Sequence, residues 1–231
     1  MNKLINIPDD WYRNLKPIIE SDYFKKLAAF LRDRRAKISV FPEPQNVFRA
    51  FNMTPLSEVR VVIIGMDPYP TLYNNKPVAC GLAFAPADRN FVPPSLRMIY
   101  KNLKNTVYKD DLNFPEDLNL EEWAKQGVFL LNAALTVEHN RAGSHLNHWI
   151  QFTETVIKTI SETTTSVIFC FWGKDAQKFA PLVNKKFHYV LTASHPVSAV
   201  YKGGEWDCDH FLQIDEILIK NNGEKIKWLT F

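Results

Sequence analysis

Asp67, Asn132 and His195 each stand just after a short apolar run, and together they offer a carboxylate, an amide and an imidazole. The first lies in Gly65-Met66-Asp67-Pro68-Tyr69-Pro70 and the last in Ser194-His195-Pro196, while a fourth apolar run ends in Trp172-Gly173. A carboxylate can stabilise a cation or orient water, an imidazole can donate or take a proton, and an amide can read a polar edge. Each has a plainer structural role open to it. Asp before Pro can cap a turn, Asn can bond loop backbone, and His can be a satisfied core residue. Their common position after strand-like runs favours one shared site, because ligands of open parallel sheets collect at the carboxyl ends of the strands.

The elements that must position them can be read from periodicity. Residues 59–64 (VRVVII), 128–132 (VFLLN), 166–172 (SVIFCFW) and 187–192 (FHYVLT) have strand length and are nearly continuously apolar, as strands covered on both faces are. Helical patterns fall between them. One covers 95–103, after Pro93-Pro94 stop an incoming strand and open the helix. Another covers 120–126 and ends at Gly127, a C-terminal cap. Residues 148–160, 176–183 and 211–219 complete the set, with a long N-terminal helix at 23–34. Strands alternating with helices predict an α/β fold: one domain over 1–231, a central four-stranded parallel sheet flanked by helices.

Composition narrows the classes. The chain of 231 residues is 46% hydrophobic and 23% charged, enough to bury a core, and its formal charge of +3 excludes a polybasic binder while permitting a local basic face. No run of 18 apolar residues occurs, and the first residues turn polar too early for a secretory signal. Cys80, Cys170 and Cys208 are odd in number and scattered, which argues against a disulfide framework and for a reducing, cytoplasmic setting. Nucleotide loops and HExxH are missing, and His139, His145 and His148 lack an acidic or thiol partner at ligand spacing, so they read as surface residues. Neither metal nor cofactor is expected. Ser144-His145 lacks a nucleophile elbow, and Trp172 reads as a buried strand end.

At these residues the chain resembles the family 1 uracil-DNA glycosylases. The likeness runs from YFKKLAAFL (23–31) to the C-terminus through VFRAFNMTPLSEVRVVIIG, CGLAF, VPPSL, WAKQGVFLLNAALTV, the Ala-x-Ser-His loop at 142–145, FWGKDAQ, SHP and CDHF. The resemblance implies an α/β fold and metal-free hydrolysis of the bond between uracil and deoxyribose in DNA. It implies Asp67 as the group that stabilises the cationic sugar and orients water, and His195 as the donor to uracil O2. That donation needs a neutral ring with Nδ1 unprotonated. By the same likeness Asn132 reads uracil N3–H and O4, and Phe84 stacks on the extruded base. Tyr69 then blocks the thymine methyl, and the backbone N–H of Met66 faces O2. Uracil-containing DNA is the implied partner, with a DNA-mimicking inhibitor protein as a second and a monomer as the expected state.

Departures from the family pattern concentrate in the DNA grip. Met66 and Pro70 replace the usual Gln and His of Gly-Gln-Asp-Pro-Tyr-His, a change that poxvirus members share in kind. The usual His-Pro-Ser-Pro-Leu-Ser is His195-Pro196-Val197-Ser198-Ala199-Val200, so Ala199 stands where a leucine wedge enters the duplex. Val197 and Val200 stand where serines meet phosphates, and Gly203 replaces a common Arg beside Lys202. Residual contacts to DNA are expected from Ser95, Lys174 and Ser198, with Ser95 equally readable as a helix cap. Loss of wedge and phosphate contacts implies a preference for single-stranded uracil and inhibitor binding weakened at Ala199. The competing reading is a catalytically weakened glycosylase fold serving as a DNA-binding or partner-docking subunit. A third, another α/β hydrolase or nucleotide enzyme, rests on fold alone.

Overall fold

Isoleucines, valines and phenylalanines that can be dried on both faces build the centre of the molecule. The computed structural model describes residues 5–109 and 120–229; residues 1–4, 110–119 and 230–231 of the expected unit lie outside them. In chain order the elements are α1 (Asp9–Ile19), α2 (Asp22–Lys37), α3 (Arg49–Met53), β1 (Val61–Gly65), α4 (Pro94–Thr106), α5 (Leu120–Lys125) and β2 (Val128–Asn132). There follow α6 (Leu146–Thr163), β3 (Ile168–Trp172), α7 (Lys174–Gln177), β4 (Tyr189–Ala193), α8 (Pro196–Lys202) and α9 (His210–Lys220).

These four strands form one parallel sheet in the order β2-β1-β3-β4, with Gly65 opposite Asn132 and Trp172 opposite Ala193, and two short antiparallel pairs, Val40–Phe41 with Val137–Glu138 and Leu72–Tyr73 with Lys76–Pro77, lie outside it. Every residue of β1, β2 and β3 is buried, as their unbroken apolar runs require. The last strand departs from that expectation: β4 lies at the edge of the sheet and is only partly covered. From β1 the chain adds β2 on one side and, after crossing back, β3 and β4 on the other, so the switch point between β1 and β3 opens a crevice at their carboxyl ends.

Several boundaries differ from the sequence reading for identifiable reasons. Residues 59 and 60 precede β1 because Pro55 starts a 3-10 turn, Leu56–Glu58, that Val59 closes. Ser166 and Phe187 sit in turns rather than strands, Ser166 at φ 60°. The expected helix at 176–183 breaks in two, since Pro181 cannot continue α7 and instead opens into the 3-10 turn Ala180–Leu182. Pro93 and Pro94 do start α4, but the residues before them are turns and not a strand. Three helices stand outside the sequence reading, the short α3 together with α1 and α8. In α1, Trp11, Leu15, Ile18 and Ile19 form the buried stripe in spite of the internal Pro17. In α8, Pro196 supplies the first turn and Gly203, at φ 66°, the left-handed cap.

The six tryptophans fasten the layers, and each indole N–H has an acceptor: Trp11 on the Thr54 carbonyl, Trp123 on that of Trp228, Trp149 on Thr136 Oγ1, Trp172 on His210 Nδ1, Trp206 on the Ser194 carbonyl and Trp228 on Asp215 Oδ1. Two of these bear on the crevice. Trp172 ends β3 beneath it, and Trp206 holds the backbone just before His195 at 2.8 Å. Replacing Trp206 with Phe leaves the Ser194 carbonyl without that donor and a gap in the core. Urea unfolding should show a loss of about 1–3 kcal/mol.

Candidate active site

The crevice at the ends of the strands encloses about 430 Å³ and is walled mainly by apolar surface. Gly65, Met66, Asp67, Pro68, Tyr69 and Pro70 enter it after β1, Asn132 at the end of β2, Trp172 to Ala176 after β3, and His195 and Val197 after β4. The sequence-expected Asp67, Met66, Tyr69, Phe84, Asn132, His195, Ser95 and Lys174 all line it. Ser198 and Ala199 do not.

Two glycines make room for the functional side chains. A Cβ on Gly65 would collide with Oδ1 of Asn132, its neighbour across the sheet, so only glycine lets that amide lie over β1. Gly173 sits at φ 93°, and a Cβ there would come within 2.9 Å of the His195 Cβ. Phe84 is held at φ 65°, a strained backbone for a bulky residue. Its carbonyl accepts the Tyr69 hydroxyl at 3.0 Å, and its ring lies 5.4 Å from that of Trp172 and 5.8 Å from that of His195. Strain is thus held where a flat ring faces the crevice. Burial raises the Tyr69 phenol well above its usual range, so it stays a neutral donor.

Asp67 and His195 are tuned in opposite directions by the same dry surroundings. Desolvation raises the Asp67 carboxyl to about 6, and a hydrogen bond from the Gly143 backbone N–H to Oδ2 pulls against it. Desolvation lowers the His195 imidazole, with Asp175 opposing more weakly. The Val197 N–H donates to His195 Nδ1 at 3.2 Å, so in the neutral ring the proton sits on Nε2.

Gly143 was not singled out from the sequence, nor was the anchor of its loop. Asn140 N–H donates to the Pro70 carbonyl at 2.8 Å, tying that loop to the residues around Asp67. At its root, buried Glu138 accepts from Arg34 Nε at 2.6 Å and Arg141 Nη1 at 2.5 Å, which holds its carboxyl below the usual range. His145, expected at the surface, is buried instead. Its Nδ1 lies 2.8 Å from Thr136 Oγ1, its Nε2 faces Glu138 at 3.6 Å, and Phe30 packs edge-on. His139 is half-buried and His148 exposed. All three cysteines are buried and outside any disulfide, and the Cys80 thiol donates to the Ala85 carbonyl at 3.3 Å.

The expected DNA contacts fare unevenly. Lys174 is exposed at the rim, on the first residue of α7. Ser95 is buried on the first turn of α4, where it faces the crevice rather than the outer surface. Ser198 is half-buried beside the site. Ala199 is 6% exposed, on the inner side of α8 that packs against α4. A methyl group turned into the core cannot enter a duplex.

Because the folded pKa of Asp67 lies above its unfolded value, its ionisation opposes folding. The stability it allows is full below about pH 4 and is lost as pH rises through about 6. Asp67→Asn should therefore raise the melting temperature at neutral pH by on the order of a few degrees, with little effect in acid. Calorimetry at both pH values checks the sign.

The chain is similar in sequence and fold to known proteins. A family model described as the uracil DNA glycosylase superfamily matches residues 51–218. The uracil-DNA glycosylase of Buchnera aphidicola subsp. Acyrthosiphon pisum (strain Tuc7) is 40% identical over 219 residues, 94% of this chain and 97% of that protein. The uracil-DNA glycosylase of Clostridioides difficile (strain 630) is 39% identical over 228 residues, 97% and 98% of the two chains. Among solved structures, mimivirus uracil-DNA glycosylase superposes with a TM-score of 0.86 at 29% identity, covering 97% of this chain and 89% of that one. A variant of the mimivirus protein in complex with UGI gives a TM-score of 0.89 at 30% identity, covering 99% and 91%.

Proposed function

This chain belongs to the uracil-DNA glycosylase superfamily, and from that membership and the shape of its crevice we infer how it releases uracil from DNA. It is a monofunctional glycosylase that hydrolyses the N-glycosidic bond. Cleavage leaves positive charge on the sugar and negative charge on the base, so the site must answer both. Asp67, ionised above pH 6, stabilises the sugar cation and orients the attacking water. His195, neutral, donates Nε2–H to uracil O2 as charge gathers there, with the Met66 N–H beside it. The base lies against Phe84, Asn132 reads N3–H and O4, and Tyr69 fills the space a 5-methyl group would need. Cytosine presents the reverse donors and acceptors to Asn132 and leaves a buried amide unpaired.

The observation that carries this reading is the pairing of a carboxyl raised to about 6 with an imidazole whose Nδ1 already accepts a backbone N–H. One is prepared to be an anion near neutral pH, the other a neutral donor.

A preference for single strands belongs to the proposal, on altered grounds. Pro70 has no N–H to donate, and Val197 and Val200 offer no hydroxyl, so fewer groups hold the backbone while a duplex is opened. Ala199, buried in α8, presents no wedge either. A DNA-mimicking inhibitor would meet the same rim, including Lys174.

Uracil release from matched single-stranded and duplex oligonucleotides, with Asp67→Asn alongside, tests the reading. The wild type should release uracil, faster from the single strand at low salt, and Asp67→Asn should lose at least about a hundredfold. The kcat/KM profile should fall on the acid side with a midpoint near 6, as Asp67 takes a proton. No release by folded protein from either substrate would favour a DNA-binding subunit instead.

A further inference from the structure

The rim of the crevice carries a large side chain to which the reaction gives no role. Tyr201 is 84% exposed, yet it lines the mouth of the pocket. We propose that Tyr201 is the group that enters the base stack when a uracil nucleotide swings out of a duplex, and that it sets how well this protein works on paired DNA. The proposal rests on the glycosylase reading.

Helix geometry explains why this residue and not Ala199 faces the DNA. At about 100° per residue, positions four apart share an edge, so Val197 and Tyr201 stand together over the crevice while Ala199 points the opposite way into the core. Val200, 42% exposed, widens the same outer face. Lone exposed apolar residues are common and mean little. Here the residue stands beside the opening through which the base must pass.

The mount is rigid. Gly203 closes α8 in the left-handed conformation, with its N–H on the Val200 carbonyl at 3.2 Å and the Gly204 N–H on the Ala199 carbonyl at 3.1 Å. Trp206 fixes the chain before the helix, and α4 supports its inner side. A Cβ on Gly203 or Gly204 would meet nothing within 4 Å.

The chemistry suits the vacancy that base extrusion leaves. Removing a nucleotide from a duplex costs its stacking on both neighbours, and a flat ring inserted at that step restores part of it. Tyrosine has the face to do so whichever bases flank the gap. In a single strand no closed stack must be parted, so the benefit is confined to paired substrates.

Single-turnover excision by wild type, Tyr201→Ala and Tyr201→Phe, on single-stranded and duplex oligonucleotides with one uracil, tests this. The exposed position keeps either substitution compatible with folding. The duplex to single-strand rate ratio should fall at least tenfold in Tyr201→Ala, about 1.4 kcal/mol of barrier, and return to within about twofold of wild type in Tyr201→Phe. An opposed guanine, which makes the uracil easier to extrude than an opposed adenine does, should narrow the defect. An unchanged ratio, an equal loss on both substrates, or a wild type that acts on single strands alone would overturn the proposal. A wild type that acts on neither would overturn the glycosylase reading itself, so the two failures are told apart.

Discussion

Gly143 donates its backbone N–H to Oδ2 of Asp67, and that bond keeps a carboxyl in an apolar crevice within reach of ionisation at neutral pH. Desolvation alone would push the acid further up, away from the charged form that the proposed mechanism uses. Much around the site serves this contact. Glycine suits position 143, where φ is 75°. Asn140 ties the loop to Pro70, and Glu138, clamped between Arg34 and Arg141, anchors its root beside the sheet. A buried ion pair of this kind is weak support for stability, but it fixes one loop geometry.

The imidazole across the crevice meets the opposite requirement with the same economy of means. His195 is the residue before α8, and the first free N–H of that helix, from Val197, falls on Nδ1. A helix start therefore selects the tautomer that leaves Nε2–H for the base. Burial then keeps the ring neutral. In one dry pocket a hydrogen bond opposes desolvation at the Asp67 carboxyl, and at His195 it fixes the tautomer of a ring that desolvation already keeps neutral.

Much of this was legible in the chain. The β1, β2 and β3 runs are apolar throughout because both faces are covered, and Asp67, Asn132 and His195 follow strands because parallel sheets bind at that end. What escaped has physical reasons. Pro17 hid α1, although Trp11, Leu15 and Ile18 have helical spacing. Val197 to Val200 read as loop because β-branched residues are poor helix formers, yet the Gly203-Gly204 pair was a C-cap signal. With that helix unseen, matching by spacing gave Ala199 a position but not a direction. Burial of His145 and the Glu138 clamp arises from residues distant in sequence, Arg34 and Phe30 among them, which no local pattern brings together.

The claim at the centre is that uracil leaves as an anion met by a neutral His195 whose proton is on Nε2. Nitrogen-15 spectra of the histidine rings, with His195 assigned by substitution, measure this directly. At about pH 7.5 the account predicts a neutral His195 ring with Nε2 protonated and Nδ1 in the acceptor range, still neutral on acidification below the usual histidine midpoint of about 6.5. A doubly protonated ring at neutral pH, or a neutral ring with the proton on Nδ1, would contradict it.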